Sequence, residues 1–346
     1  MGLWMLLPFV LAQASPEAER LWAEGERLVA IERMTAELEQ RPGDELLRLS
    51  LVERELLTSR FEAALAHSEG LPVERRGLRG RALYFLTRYG EALDFLGEKD
   101  PDELLMRAEA LRALGRLEEV DALLPRLREV LGPERVEVRL LEARGLLRRG
   151  ESEPALELLR GVLRDDPLQA EALFTLGRAL LRAGARKEGL LLLQRHRELV
   201  PLLDRLDFAR RGVALSPRGG ANQAALGDAW LALVPHHSVR ATAEAGAAYT
   251  RAFQLAGETE LAPIALRAAR FHHDAEGDLP GAIELLEEAL QRVEDVRLRV
   301  RVSDYLSQAG RPAQALVHLR RARELRPRDE AIEQRIKRLE DRGGER

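Results

Sequence analysis

The chain has 346 residues, 45% of them apolar, 32% charged and only 4% aromatic, a length beyond which one hydrophobic core usually stops growing. It holds no cysteine, which excludes disulfides, thiolate nucleophiles and cysteine-ligated metal centres, and its formal net charge of −4 gives no overall attraction to nucleic acid. Leu, Ala, Glu and Arg are abundant, and these strong helix formers point to an all-α protein.

Residues 1–14, MGLWMLLPFVLAQA, read as a signal peptide. Leu3 to Ala12 forms its apolar run, and Ala12-Gln13-Ala14 supplies the small-residue cleavage pattern. No Lys or Arg precedes the run, so only the amino terminus is positive there. The run is shorter than the roughly 20 residues needed to cross a bilayer, so no transmembrane span is expected. The mature chain is expected to begin at Ser15 in an exported protein, periplasmic or secreted.

Ser15-Pro16-Glu17 then opens a helix, with serine as cap, proline in the first turn and glutamate near the positive end. This N-terminal helix, within 15–44, is expected to run to about Gln40 and stop at Arg41-Pro42-Gly43-Asp44. Phe61-x2-Ala64-Leu65 and Tyr89-x2-Ala92-Leu93 are matching helix starts 28 residues apart. From Pro101 the period lengthens. Gly115, Gly150 and Gly184 are 35 and 34 residues apart, and Pro167 and Pro201 are 34 apart. Units 101–135, 136–169 and 170–203 follow, closing a first sub-array over 45–203. The spacing predicts an extra helix and linker over 204–219, with Pro201 stopping the helix before it.

A second sub-array, 220–329, opens on Leu226-Gly227-x2-Trp230 and carries an extended loop at Pro235–Arg240. Ala282-x3-Leu286 and Ala315-x3-Leu319 repeat 33 residues apart within it. Residues 330–346 give a polar capping helix and tail of the kind that arrays need at their ends.

The fullest unit is Gln169 to Pro201. It contains Leu173-x2-Leu176-Gly177-x2-Leu180, then Gly184, then Gly189-x3-Leu193. This pattern resembles the tetratricopeptide repeat (TPR), a helix–turn–helix of about 34 residues. Leucines stand at its aromatic positions, and Gly177 and Gly189 at the close crossing of its two helices. The resemblance covers most of 45–342 and is strongest over 101–203 and 263–327. It implies an α-solenoid of about seven or eight partly irregular units; with the apolar leader, the expectation is a bacterial, exported protein. It also implies a non-catalytic protein-binding scaffold in which the first helix of each unit lines a concave groove for an extended segment. An alternative is a TPR component of exopolysaccharide export or cell-envelope assembly. Guiding a polymer would require exposed aromatics, for which Phe174 and Trp230 are the candidates near the groove.

No P-loop, G-x-S-x-G, H-E-x-x-H or calcium-loop spacing occurs, so no enzyme activity and no cofactor are expected. The pairs His236-His237 and His272-His273 are weighed as metal ligands. His273 falls where a large packing residue belongs, and no metal is assigned. Arg144 and Arg148 lie at i and i+4 on one first helix, and Arg178 and Arg182 repeat them 34 residues on. With Phe174 they form an expected partner-binding ladder for an acidic segment or a C-terminal carboxylate of another protein. The competing reading is a solvated face neutralised by Glu137, Glu142 and Glu171.

Overall fold

The computed structural model describes residues 14–343; the expected signal segment, Ala14 apart, lies outside the described residues. Helices and turns make up this part, with no strand among the described residues. Chain order gives α1 (Pro16–Glu24), α2 (Arg27–Gln40), α3 (Glu45–Leu57), α4 (Phe61–His67), α5 (Arg76–Phe85) and α6 (Tyr89–Ala92). The regular block follows as α7 (Pro101–Ala113), α8 (Leu117–Leu131), α9 (Val136–Arg148), α10 (Ser152–Asp165), α11 (Ala170–Arg182) and α12 (Arg186–Leu215). Then come α13 (Gly220–Leu231), α14 (Ser238–Leu255), α15 (Glu258–Asp274), α16 (Leu279–Arg292), α17 (Val296–Gln308), α18 (Pro312–Leu325) and α19 (Glu330–Gly343).

The single helix expected before Gln40 is two helices. Ser15 does cap α1, accepting the Ala18 N–H at 3.3 Å, but Gly25 takes a left-handed φ of 92° and ends it. The N–H of Glu26 then reaches back to the carbonyl of Leu21 and that of Gly25 to Trp22, which closes the end of α1. From α3 to α18 the helices form eight antiparallel pairs, with α1/α2 as a further pair in front and α19 as a lone terminal helix.

Two compact units part between Pro201 and Leu202. In the first, α3 touches α5, α5 touches α7 and α9 touches α11; in the second, α13 touches α15 and α15 touches α17. First helices thus pack on the first helices of neighbouring pairs at these places. Leucine and alanine fill the seams, as with Leu156, Leu159, Ala172, Leu176 and Leu180 around α10 and α11. Gly177 and Gly189 face each other across the α11–α12 crossing. A Cβ on Gly189 would stand 2.7 Å from the Gly177 carbonyl oxygen, and one on Gly177 would stand 2.9 Å from Leu193 Cγ. Only the missing side chains let the backbones approach so closely.

Pro201 does not stop its helix, which continues to Leu215 as α12. Leu199, Leu206 and Ala209 are buried along it, so the apolar face persists through the proline. The hydrogen bond that proline forgoes would have gone to the carbonyl of Arg197, an exposed residue whose carbonyl water can serve. The expected extended loop at Pro235–Arg240 is instead a compact run of turns leading into α14, with Leu233 fully buried beneath it.

Candidate partner-binding groove

A groove of about 520 Å³ opens among α7, α8, α9 and α11 of the first unit. Leu117, Val120, Leu141 and Leu147 give it apolar walls, and Phe174, 40% exposed, stands over it. All four ladder arginines, Arg144, Arg148, Arg178 and Arg182, line it together with Phe174. Helical geometry explains the convergence: each pair is one turn apart on a first helix, and α9 and α11 lie side by side.

The four arginines are not equivalent. Arg144 Nη2 is held by Glu171, which projects from the first turn of α11, while Arg144 Nη1 is buried without a hydrogen-bond partner. Arg148 pairs with Asp121, on the second helix α8. Arg178 lies 5.4 Å from the ring centroid of Phe174. Arg182 is exposed and has no ion-pair or hydrogen-bond partner among the described residues. The solvated-face reading therefore applies to one partner of the three named, because Glu137 pairs with Arg135 and Glu142 with Arg128.

Two groove residues escape a search by period. Arg112 sits one residue before the position that corresponds to Arg148 and Arg182, counted back from the turn glycines Gly115, Gly150 and Gly184; Ala113 holds that position. Arg112 Nε bonds Glu109 at 2.6 Å, and its Nη2 stands 3.9 Å from Glu171. Asp121 comes from an outer helix, where no repeat pattern marks it. Beside this network the Tyr84 hydroxyl is pushed up to about 12, mainly by burial and further by the Glu109 carboxylate, so it stays protonated at neutral pH.

Other singled-out residues lie elsewhere. Trp230, the other candidate stacking ring, is buried in the second unit, only 3% exposed, with the guanidinium groups of Arg210 and Arg240 each 5.3 Å from its ring. Tyr249 covers Gly227 and donates to Asp228 at 2.6 Å. His272 bonds Glu276 at 2.6 Å, and His273 stacks on Tyr305 at 4.8 Å while reaching Gln308 at 2.9 Å. His236 lies in the turns before α14 and His237 at its N-cap. Among the described residues no three metal-ligating side chains converge. No described helix is long and apolar enough to cross a membrane.

No family model and no curated protein matches the chain. Solved structures do. A thermophilic TPR protein of Thermus thermophilus is 22% identical over 59% of this chain and 98% of its own, with a TM-score of 0.32. YrrB, described as a TPR protein with an unusual peptide-binding site, is 20% identical over 49% of this chain and 92% of its own, at 0.38. The Cut9–Hcn1 assembly of APC/C is 15% identical over 95% of this chain and 60% of its own, at 0.31. The chain's own packing makes it an array of consecutive helix pairs.

Proposed function

We propose that the chain is a non-catalytic scaffold that binds another protein, and that the groove of its first unit takes an extended, acidic segment of that partner. The observation that carries this reading is the composition of the groove: five arginines against two carboxylates, over apolar walls. Guanidinium forks are weakly hydrated and meet carboxylates two-pronged, which suits a half-enclosed site. Arg178 and Arg182, the pair not tied to a carboxylate, are the groups that receive the acidic side chains or the C-terminal carboxylate of the partner.

The partner is to be captured from an envelope extract, and its affinity measured for the parent and for Arg178→Glu/Arg182→Glu at two salt concentrations. Binding is expected to weaken by about 2 kcal/mol or more if the contacts are desolvated, and by less than about 1 if they lie at the rim. Unchanged affinity with an intact helical spectrum would sink this reading.

Export to the periplasm or beyond belongs to the same proposal and rests on the apolar run with Ala12-Gln13-Ala14. Mass spectrometry of the native protein is expected to find Ser15 as the amino terminus; an intact leader on a cytosolic species would remove this part. A role in exopolysaccharide export is the weaker reading, because a sugar platform needs free ring faces. Phe61 and Phe85 stack on each other at 4.6 Å, and Phe208, 74% exposed, stands far from them in sequence.

A further inference from the structure

We propose that Glu171 is a built-in stand-in for the partner's carboxylate: it holds Arg144 until the partner's carboxylate takes its place. This rests on the reading of the groove as an acidic-segment site and names the residue that sets its affinity. Three observations support it. Glu171 contributes to the groove lining from the first turn of α11, yet its side chain is 42% exposed, so a rotation carries it into water. It meets only one end of the Arg144 fork, and the other terminal nitrogen, Nη1, is buried without an acceptor. Once Glu171 lets go, the Arg144 side chain can turn its buried Nη1 out into the groove, and a partner's carboxylate can then meet both nitrogens, which the tethered Glu171 does not. Finally, the neighbouring Arg112 is anchored independently by Glu109 at 2.6 Å, so departure of Glu171 leaves that side of the groove in place.

The Asp121–Arg148 pair differs. Asp121 Oδ1 is buried, its chain is shorter by one methylene, and Arg149 also stands 4.0 Å from its carboxylate. Asp121 stays. The consequence is a graded groove, near neutral at the Asp121 end, cationic at Arg178 and Arg182, and switchable between them at Arg144. Ligands lacking a carboxylate at the middle position gain nothing from Arg144, so Glu171 acts as a filter as well as a latch.

The test uses the full chain and a fluorescein-labelled peptide of alternating Glu and Leu with a free C-terminus, followed by anisotropy at low salt. Removing the stand-in as Glu171→Gln raises the affinity by the reciprocal of the unlatched fraction, about tenfold if that fraction is about one tenth. The gain vanishes in Arg144→Gln, which has nothing to release, whereas a merely structural ion pair would shift the melting temperature and leave affinity alone. Equal or weaker binding by Glu171→Gln, with parent binding still lost in Arg178→Glu/Arg182→Glu, overturns the latch and leaves the groove standing. If neither parent nor variant binds the peptide, the latch and the groove reading fall together.

Discussion

Ser59 and Thr87 occupy the left-handed turn position that glycine fills in later repeats. Their φ angles are 60° and 59°, beside 75° at Gly115, 83° at Gly150 and 86° at Gly184. For an L-residue with a Cβ this conformation costs roughly 1–2 kcal/mol, and the β-branch of threonine makes it worse. The N–H of Arg60 and of Arg88 still closes each turn, onto Glu55 and Leu83, so tertiary packing overrides the local preference. Replacing Thr87 by glycine removes this strain and adds unfolded-state freedom costing about 0.5–1 kcal/mol. The net expectation is a gain of about 0.5–1 kcal/mol, read as a higher urea midpoint at unchanged slope. A lower midpoint would show that the threonine side chain does more for the turn than its backbone angle takes away. The same residues explain a limit of sequence reading. Where glycine marked the turn the period stood out; at Ser59 and Thr87 no glycine marked it, and the starts at Phe61 and Tyr89 matched each other only at the shorter spacing of 28, in line with the short helices α4 and α6.

Among the elements, α7 to α11 were legible because turn glycines, crossing glycines and apolar spacing all agree there. The end of α12 was not, since proline in a helix is a local cost that a continuing apolar face can exceed. The groove divides in the same way. Its arginine pairs were legible from i, i+4 spacing and period, whereas Asp121, and which of the three named carboxylates reaches Arg144, depend on how far side chains reach between helices, which spacing does not encode. In the second unit, α18 carries a pH-sensitive contact of its own. His318 is held below its ordinary value by burial first and then by the Arg299 guanidinium, 3.5 Å from Nδ1, with Glu287 and Glu294 opposing. The unfolded chain, with an ordinary histidine near 6.5, therefore binds this proton more readily than the folded one. Stability is complete above about 6.5 and falls as the pH drops through the lowered folded value. Melting temperatures at about pH 7.5 and about pH 5 are expected to differ less in His318→Gln than in the parent. An identical difference would mean that other groups carry the acid sensitivity.

Among the described residues, the closely packed helix pairs within each unit are adjacent or next but one in the chain, as with α9 against α10 and α11, or α17 against α16 and α18; only long side chains reach further, as Arg112 does to Glu171. Stability in such an array is close to a sum over units and their nearest interfaces, so damage at one crossing is felt locally before it is felt globally. The Gly177–Gly189 crossing provides the test. Leucine at 177 must fit where even a Cβ would lie 2.9 Å from Leu193 Cγ and 3.1 Å from the Gly189 carbonyl oxygen, and backbone does not yield as a flexible side chain does. Overpacking of this kind costs about 1–3 kcal/mol or more. Native-state hydrogen exchange on Gly177→Leu is expected to show faster exchange in α9, α10 and α11, with α3–α5 and α15–α18 keeping parental protection. The groove lies on the affected helices, so the acidic Glu–Leu peptide should bind more weakly to this variant although no groove side chain has changed. Faster exchange spread evenly over both units would show that the chain unfolds as one cooperative body. Parental exchange in α11 would show that the crossing tolerates bulk and that the two glycines are there for another reason.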